Sequence, residues 1–287
     1  MAIGADPQSL QGRPETTMSL RQFVLSLSTL PLKLAFFGGW LGLLLVWERF
    51  LPAAPRPNDM SLAPSARVGG NVTLGVINAV LWVMVTLPLT VIALGFSLDR
   101  GILEWRGAWS SGFAGLAVDI LLLDLFAYFW HRAGHELDVL WRFHEVHHRD
   151  EFLDVTTGLR FHFGEVIFGS AIRAVFLIAT GSPIEHVIIF DVLMMAMNWY
   201  SHSNIKLPLW YEKALSFLIV TPWLHWTHHK TSKPESDQNY AVIFSFWDIF
   251  FGTRAERGRR IGMQVGLRHV GDVPLGRLLI QPFLRRE

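Results

Sequence analysis

The chain has 287 residues, of which 51% are apolar and only 17% are charged, and it contains 12 Trp, 12 His and no Cys. This composition excludes a disordered chain and a disulfide-stabilised scaffold, and the formal net charge of +1 leaves no basic surface for nucleic acid. Because there is too little polar surface to cover so much apolar mass, we expect an all-α integral membrane helical bundle.

Five apolar stretches are candidates for crossing a bilayer, whose core of about 30 Å needs about 20 helical residues. They follow a polar to amphipathic N-terminal segment, residues 1–33, which has no signal-peptide core, and they lie within a membrane domain over residues 34–253. The stretches are Leu34 to Trp47, Val72 to Phe96, Gly112 to Trp130, Glu165 to Ala179 and Ile184 to Trp199. We therefore expect four to five spans, with a cytoplasmic histidine-rich helical cap.

Charged residues give expectations about packing and orientation. Arg173 and Asp191 are equally deep on either side of a Gly181-Ser182 turn, so we predict that they pair across a hairpin. Residues 254–287 carry eight Arg against two Glu and one Asp, which indicates a basic tail on the cytoplasmic face that is solvated or faces lipid headgroups.

The histidines begin at His131, and eight of them form three short clusters. On a helix, residues at i, i+3 and i+4 lie on one face, so each cluster presents its imidazoles in one direction. With 12 His in the chain, a given H-x-x-H-H arises by chance in roughly two chains per hundred, and this sequence has two copies. The clusters are HRAGH (His131, His135), HEVHH (His144, His147, His148) and HWTHH (His225, His228, His229).

The number of imidazoles predicts a metal centre with two ions. Burying eight imidazoles together without a metal would be costly, and neutral imidazole is a good ligand for transition metals. A single ion takes about four ligands, so eight histidines, with His162 and His202 as further candidates, are enough for two. The remaining His186 and His269 are expected to be ordinary structural residues.

These clusters and their surroundings resemble the histidine boxes of the fatty acid hydroxylase / sterol desaturase superfamily. The resemblance covers residues 115–254, about half of the chain. The motifs that carry it, besides the boxes, are Asp124-x3-Tyr128-x2-His131, Leu140-Trp141-x2-His144, Thr157-Gly158-x-Arg160-x-His162-x2-Glu165, His202-Ser203-Asn204, Asn239-Tyr240 and Trp247-Asp248-x2-Phe251-Gly252-Thr253. It implies an integral membrane oxidoreductase with a non-haem centre of two Fe ions, O2 as oxidant and a lipid substrate.

Carried over position by position, the resemblance implies that the eight histidines of the three boxes are the metal ligands. His162 and His202 fit further ligand positions of the family pattern. We expect no catalytic residue beyond the ligands, and second-shell hydrogen bonds should orient the imidazoles. The second-shell candidates are Asp124 and Tyr128, which share a helical stripe with His131, together with Glu165 and Asp237; alternatively, Asp124 caps a polar wall.

The expected reaction is oxidation of an apolar C–H bond in a lipid of sterol or fatty-acyl type, by hydroxylation or by desaturation. The sequence does not choose between these outcomes, because both use the same ligands. Electrons must come from an external ferredoxin-like or cytochrome donor, because the chain has no cysteine for an iron–sulfur cluster and no dinucleotide fingerprint. We expect a bacterial inner membrane location, with the metal site on the cytoplasmic side.

Two other functions compete with this interpretation. His144-Glu145-x-x-His148 also satisfies H-E-x-x-H, the motif of zinc proteases, which predicts an intramembrane zinc hydrolase with Glu145 as general base. That interpretation leaves HRAGH and HWTHH without a role. A metal transporter should place its ligands near the bilayer midplane, whereas these clusters flank the spans.

Overall fold

The computed structural model describes residues 30–99, 112–231 and 236–284, which form helices joined by loops and isolated backbone bridges, without a strand in these ranges. The chain divides after Gly38 into two compact units, and the first helix begins in one and ends in the other. The helices are α1 Leu30–Phe50, α2 Pro64–Leu81, α3 Leu87–Asp99, α4 Gly112–Glu136, α5 Asp138–His148, α6 Phe163–Thr180, α7 Ile184–His202, α8 Leu209–Leu215, α9 Pro222–His228, α10 Phe246–Phe250 and α11 Leu275–Ile280. A π-helical turn, Trp82–Thr86, joins α2 to α3, and 3-10 turns cover Val155–Leu159 and Gln281–Phe283.

Three helical stretches in the described part of the chain are long and apolar enough to cross a membrane. They are Pro64–Ser97, Gly112–Glu136 and Phe163–Thr180, which correspond to the second, third and fourth predicted spans. The other two predicted spans are helical as α1 and α7, but α7 includes Glu185, His186 and Asp191. A count of four to five spans therefore stays a prediction.

The helix ends that carry polar side chains meet on one side of the bundle. Arg67 in the first turn of α2 pairs with Asp150 just after α5, and Glu165 at the start of α6 contacts His144. His202 at the end of α7 lies against His147. The chain thus brings the beginnings of α2 and α6 and the end of α7 together around α5.

Helices α6 and α7 form the predicted hairpin. Gly181 ends α6 in the left-handed conformation (φ 56°), which a glycine adopts without a Cβ clash. The predicted pairing across the hairpin is confirmed, because Arg173 Nη2 lies 2.8 Å from Asp191 Oδ1.

Part of the basic C-terminal region packs against the bundle, which the expectation of a solvated or headgroup-facing tail did not include. Asp272 is buried and accepts a hydrogen bond from Arg160 Nη1 at 2.9 Å. Leu278 of α11 is buried in a cluster with Leu74 and Val146. The C-terminal region packs against the bundle because Asp272 neutralises the buried Arg160 and Leu278 covers Leu74 and Val146.

Candidate metal centre

Nine histidines converge into two buried groups. Within each group, one ring nitrogen per histidine lies within 4.8 Å of the others. The first group contains His131, His135, His144, His148 and His228. The second group contains His147, His202, His225 and His229. All eight box histidines and His202 are therefore brought together, each box contributing to at least one group.

Helical spacing explains how the boxes divide between the groups. Residues at i and i+4 differ by about 40° around a helix axis, whereas i+3 lies about 60° to the other side. In both H-x-x-H-H boxes the i and i+4 histidines share a group and the i+3 histidine joins the other one. Thus His144 and His148 are in the first group and His147 in the second, while His225 and His229 are in the second and His228 in the first.

The distances between ring nitrogens in the second group match those between neighbouring ligand atoms bound to one metal ion. Nε2 of His202 lies 3.0 Å from Nε2 of His147 and 2.9 Å from Nε2 of His225. Nε2 of His229 lies 3.2 Å from Nε2 of His225. Ligands held at about 2.1 Å from one ion are separated by about 3.0 to 3.4 Å, depending on the coordination geometry.

In the first group, the outer ring nitrogens of two histidines are held by backbone carbonyls, and the Nε2 atoms of four histidines have no hydrogen-bond partner. Nδ1 of His131 donates to the Tyr240 carbonyl oxygen at 2.8 Å, and Nδ1 of His228 donates to the Gln238 carbonyl oxygen at 2.7 Å. Nε2 of His228 is buried without a hydrogen-bond partner, and the same is true of Nε2 in His135, His144 and His148. Buried polar atoms are rarely left unpaired, so these atoms fit the lone pairs of metal ligands.

The protein environment keeps the imidazoles neutral. Burial, followed by the neighbouring imidazoles, lowers the pKa of His147, His148 and His229 well below the usual 6.5. Burial also lowers the pKa of His228, to about 3. A neutral ring has a lone pair for a metal, so the residues present fit transition-metal ions in both groups.

One residue in the left-handed backbone conformation lies between two residues whose carbonyls accept hydrogen bonds from histidines of the first group. Asn239 has φ 57°, and its side-chain amide donates to Thr227 Oγ1 at 2.8 Å inside the third box. Its two neighbours, Gln238 and Tyr240, supply the carbonyls that bind His228 and His131. Asn tolerates this backbone conformation better than most residues, which explains its position here.

A buried ionic network supports the second box, and the sequence reasoning missed most of it. Arg67 in α2 pairs with Asp150, two residues after His148, at 2.5 Å. Arg160 donates to the Val146 carbonyl at 2.8 Å, and its own carbonyl oxygen accepts from Nδ1 of His147 at 3.2 Å. No local motif signals Arg67, because its partner is 83 residues away.

The predicted second-shell residues divide into two kinds. Glu165 lies 2.8 Å from Nδ1 of His144, and Asp237 lies 3.4 Å from Nδ1 of His135. Asp124 instead accepts hydrogen bonds from the backbone N–H groups of Ile243 and Phe244, both at 3.0 Å.

Tyr128 likewise has a partner away from the histidines, since its hydroxyl bonds Thr253 Oγ1 at 2.9 Å. Asp124 and Tyr128 therefore hold the 241–253 segment rather than an imidazole, which corrects the expectation that they orient ligands.

His162 lies outside both groups, which corrects its assignment as a further ligand. Its Nδ1 accepts from the Gly164 N–H at 3.0 Å and caps α6, while Nε2 donates to the Leu279 carbonyl at 3.0 Å. Both nitrogens are occupied, so neither is available to a metal. His186 pairs with Asp119 at 2.6 Å, and His269 is exposed.

Comparison with known proteins gives a family match over the part of the chain that contains both histidine groups. Residues 116–253 match the family model described as fatty acid hydroxylase. The ornithine lipid hydroxylase OlsE of Rhizobium tropici is 29% identical over 184 residues, which are 63% of this chain and 54% of that protein. The alkylglycerol monooxygenase of Danio rerio is 32% identical over 55% of this chain and 33% of that protein.

A very-long-chain aldehyde decarbonylase of Oryza sativa subsp. indica is 29% identical over 50% of this chain and 24% of that protein. The chain thus spans about half or less of the length of these curated relatives. No solved structure matches it significantly.

Proposed function

Since the chain belongs to the fatty acid hydroxylase superfamily, we propose that it is an O2-dependent membrane oxidoreductase that uses two iron ions to oxidise an apolar C–H bond of a lipid. The relatives are named as lipid hydroxylases and monooxygenases, which supports lipid oxidation in general. The two-iron centre and the substrate are our proposal.

The observation that carries this proposal is the division of nine histidines into groups of five and four. A single ion would leave about half of these nitrogens buried and unpaired. Imidazole alone suits iron, zinc and copper, and the oxidation named for the relatives needs a redox-active ion, which zinc is not; among the redox-active ions we propose iron. When bound, reduced iron supplies the activation of O2 that removal of hydrogen from an unactivated carbon requires.

The protein's own residues prepare this centre by fixing rings and excluding water. The carboxylate of Glu165 and the carbonyls of Gln238 and Tyr240 hold Nδ1 atoms, so the Nε2 atoms stay turned inward. His147 and His229 are at most 1% exposed, which keeps bulk water from the nitrogens. This preorganisation means that little rearrangement accompanies metal binding.

The substrate and partners follow from the surroundings of the centre. We propose a lipid of sterol or fatty-acyl type, reached from the membrane, with hydroxylation or desaturation as the outcome. Electrons come from a separate ferredoxin-like or cytochrome donor. The location proposed is a bacterial inner membrane with the centre on the cytoplasmic side, as the eight Arg beyond residue 253 favour.

The zinc hydrolase alternative has less support. His144 and His148 share their group with three other histidines, so the H-E-x-x-H motif accounts for two ligands of five. Glu145, which would be the general base, lies 3.9 Å from Arg149 and is outside both groups.

Lipid mass spectrometry tests the proposed function. Cells that make the wild-type chain are compared with cells that make His147→Ala, and the exposed His269→Ala serves as the matched control. We expect a lipid with one added oxygen, labelled when 18O2 is supplied, or a lipid lacking two hydrogens, in wild type and control only. Identical lipids in all three cultures would contradict the proposal. Cleavage of a peptide substrate that depends on zinc bound to the protein would contradict it as well.

A further inference from the structure

We propose that an aromatic platform, defined as residues 209–218 and 246–251, inserts sideways into one lipid leaflet beside the histidine groups. Its helices α8 and α10 have seven and five residues, too short to cross a bilayer. Yet Trp210 is 73% exposed, Phe217 63% and Phe250 77%. An exposed cluster of large apolar side chains marks a surface that is covered by something other than water.

Hydrogen bonds join the two parts of the platform into one surface. The Ser245 N–H donates to the Leu218 carbonyl at 3.2 Å, and the Ser245 hydroxyl donates to the Ser216 carbonyl at 2.7 Å. The Val220 N–H donates to the Ile243 carbonyl at 2.9 Å. The exposed rings therefore do not belong to two independent loops.

The platform continues the apolar surface of a candidate span, which favours lipid as its occupant. Phe129 of α4 is 46% exposed, and its ring centroid lies 5.1 Å from that of Phe251. The Phe251 ring lies in turn 4.9 Å from that of Phe250. A bilayer that covers the Phe129 side of α4 would reach the platform without a polar break.

Basic residues lie at the edge of the platform, as at a headgroup boundary. The Arg254 guanidinium lies over the Phe217 ring at 4.6 Å, and Lys213 of α8 is exposed. Aromatic rings with neighbouring cations are typical of the membrane–water interface, where the cations face lipid phosphates.

Insertion would fix the depth of the centre in the membrane. The platform begins seven residues after His202, and residues 209–218 precede His225 in the third box. Its second part is tied to α4 because Asp124 binds the Ile243 and Phe244 N–H groups. The histidine groups are thereby held at headgroup level, where a lipid can reach them laterally.

Site-directed spin labelling tests the platform directly, because the chain has no cysteine to remove. Phe250→Cys and Trp210→Cys would each carry a nitroxide on the full chain, without added metal, in nanodiscs of phosphatidylethanolamine and phosphatidylglycerol. Collision rates with O2, which partitions into lipid, and with a water-soluble nickel chelate are then compared. Val175→Cys, on the 64% exposed Val175 of α6, is the lipid control, and the exposed Arg257→Cys is the water control.

We expect both platform labels to favour O2 over the chelate several-fold, as the Val175 label does. Preference for the chelate, as at Arg257, would overturn the proposal. Exclusion of both probes would overturn it as well, since a protein partner or a second copy would then cover the platform. If one variant fails to fold by circular dichroism, Phe217→Cys takes its place; none of these outcomes depends on the metal or on turnover.

Discussion

Glu165 Oε1 lies 2.8 Å from Nδ1 of His144, so a carboxylate in the first turn of α6 fixes the ring of a histidine in α5. Removing such a partner of a metal ligand costs about 10–100-fold in metal affinity. Glu165→Ala should therefore weaken iron binding by about this factor, and Glu165→Gln, which keeps an acceptor oxygen, by less. Iron titration measures this, with the exposed Glu136→Ala as control; equal affinity in all three variants would contradict the assigned role.

Arg67 should be essential for stability although it lies outside the matched domain. Its guanidinium is buried against Asp150 and Asp154, so Arg67→Met leaves buried carboxylates unpaired, at a cost of about 3–5 kcal/mol. Arg67→Lys should restore little, because an ammonium cannot reproduce the forked contacts.

The comparison for Arg67 is Arg132, which pairs with Glu136 at the surface. Thermal unfolding in detergent should show a loss of at most about 0.5 kcal/mol for Arg132→Met. Similar losses for Arg67→Met and Arg132→Met would show that the buried network does not stabilise the fold.

The metal-free protein should lose stability as the solution is acidified. The pKa of His228 is about 3 in the folded chain against 6.5 for an ordinary histidine, so the unfolded chain binds more protons between these values. The stabilisation is complete above about pH 6.5 and is lost progressively as the pH falls toward about 3, by about 1.4 kcal/mol per pH unit for one such histidine. Thermal unfolding at pH 7.5 and pH 5 measures it, and an unchanged midpoint would contradict the burial of neutral rings.

Asp124 should matter for the fold more than for the metal. Asp124→Leu leaves the Ile243 and Phe244 N–H groups buried without an acceptor, at a cost of about 1–3 kcal/mol for each group. We expect a lower unfolding temperature but an unchanged iron-to-protein ratio in the folded fraction. The exposed Asp59→Ala is the control, and loss of iron without loss of stability would restore Asp124 as a residue that orients ligands.

Local spacing predicts the parts of the site that lie within one helical turn. The face shared by His144, His147 and His148 follows from their positions in the sequence, and so does the hairpin that pairs Arg173 with Asp191. The division of each H-x-x-H-H box between the two histidine groups could also have been predicted, because i+4 and i+3 deviate in opposite directions around the helix. The sequence interpretation treated each box as one unit and missed this division.

Contacts between distant segments could not be predicted from spacing. Arg160 pairs with Asp272, 112 residues away, and His202 joins His147 across 55 residues. For Asp124, the sequence pattern predicted a contact that the structure does not have. Because Asp124 shares a helical stripe with His131, a hydrogen bond to that ligand was expected. The loop at Ile243 supplies two N–H donors to the same carboxylate, and such tertiary partners override the helical pattern.

The central claim is that each histidine group holds one iron ion, and metal counting on purified protein tests it most directly. Wild-type chain and the exposed His269→Ala should each contain two irons per chain. His135→Ala combined with His148→Ala leaves three of five histidines in the first group, and His229→Ala combined with His225→Ala leaves two of four in the second; each of these variants should retain about one iron, and all four substitutions together none. One iron in the wild type, or the loss of all iron from a variant changed in one group only, would contradict two separate sites.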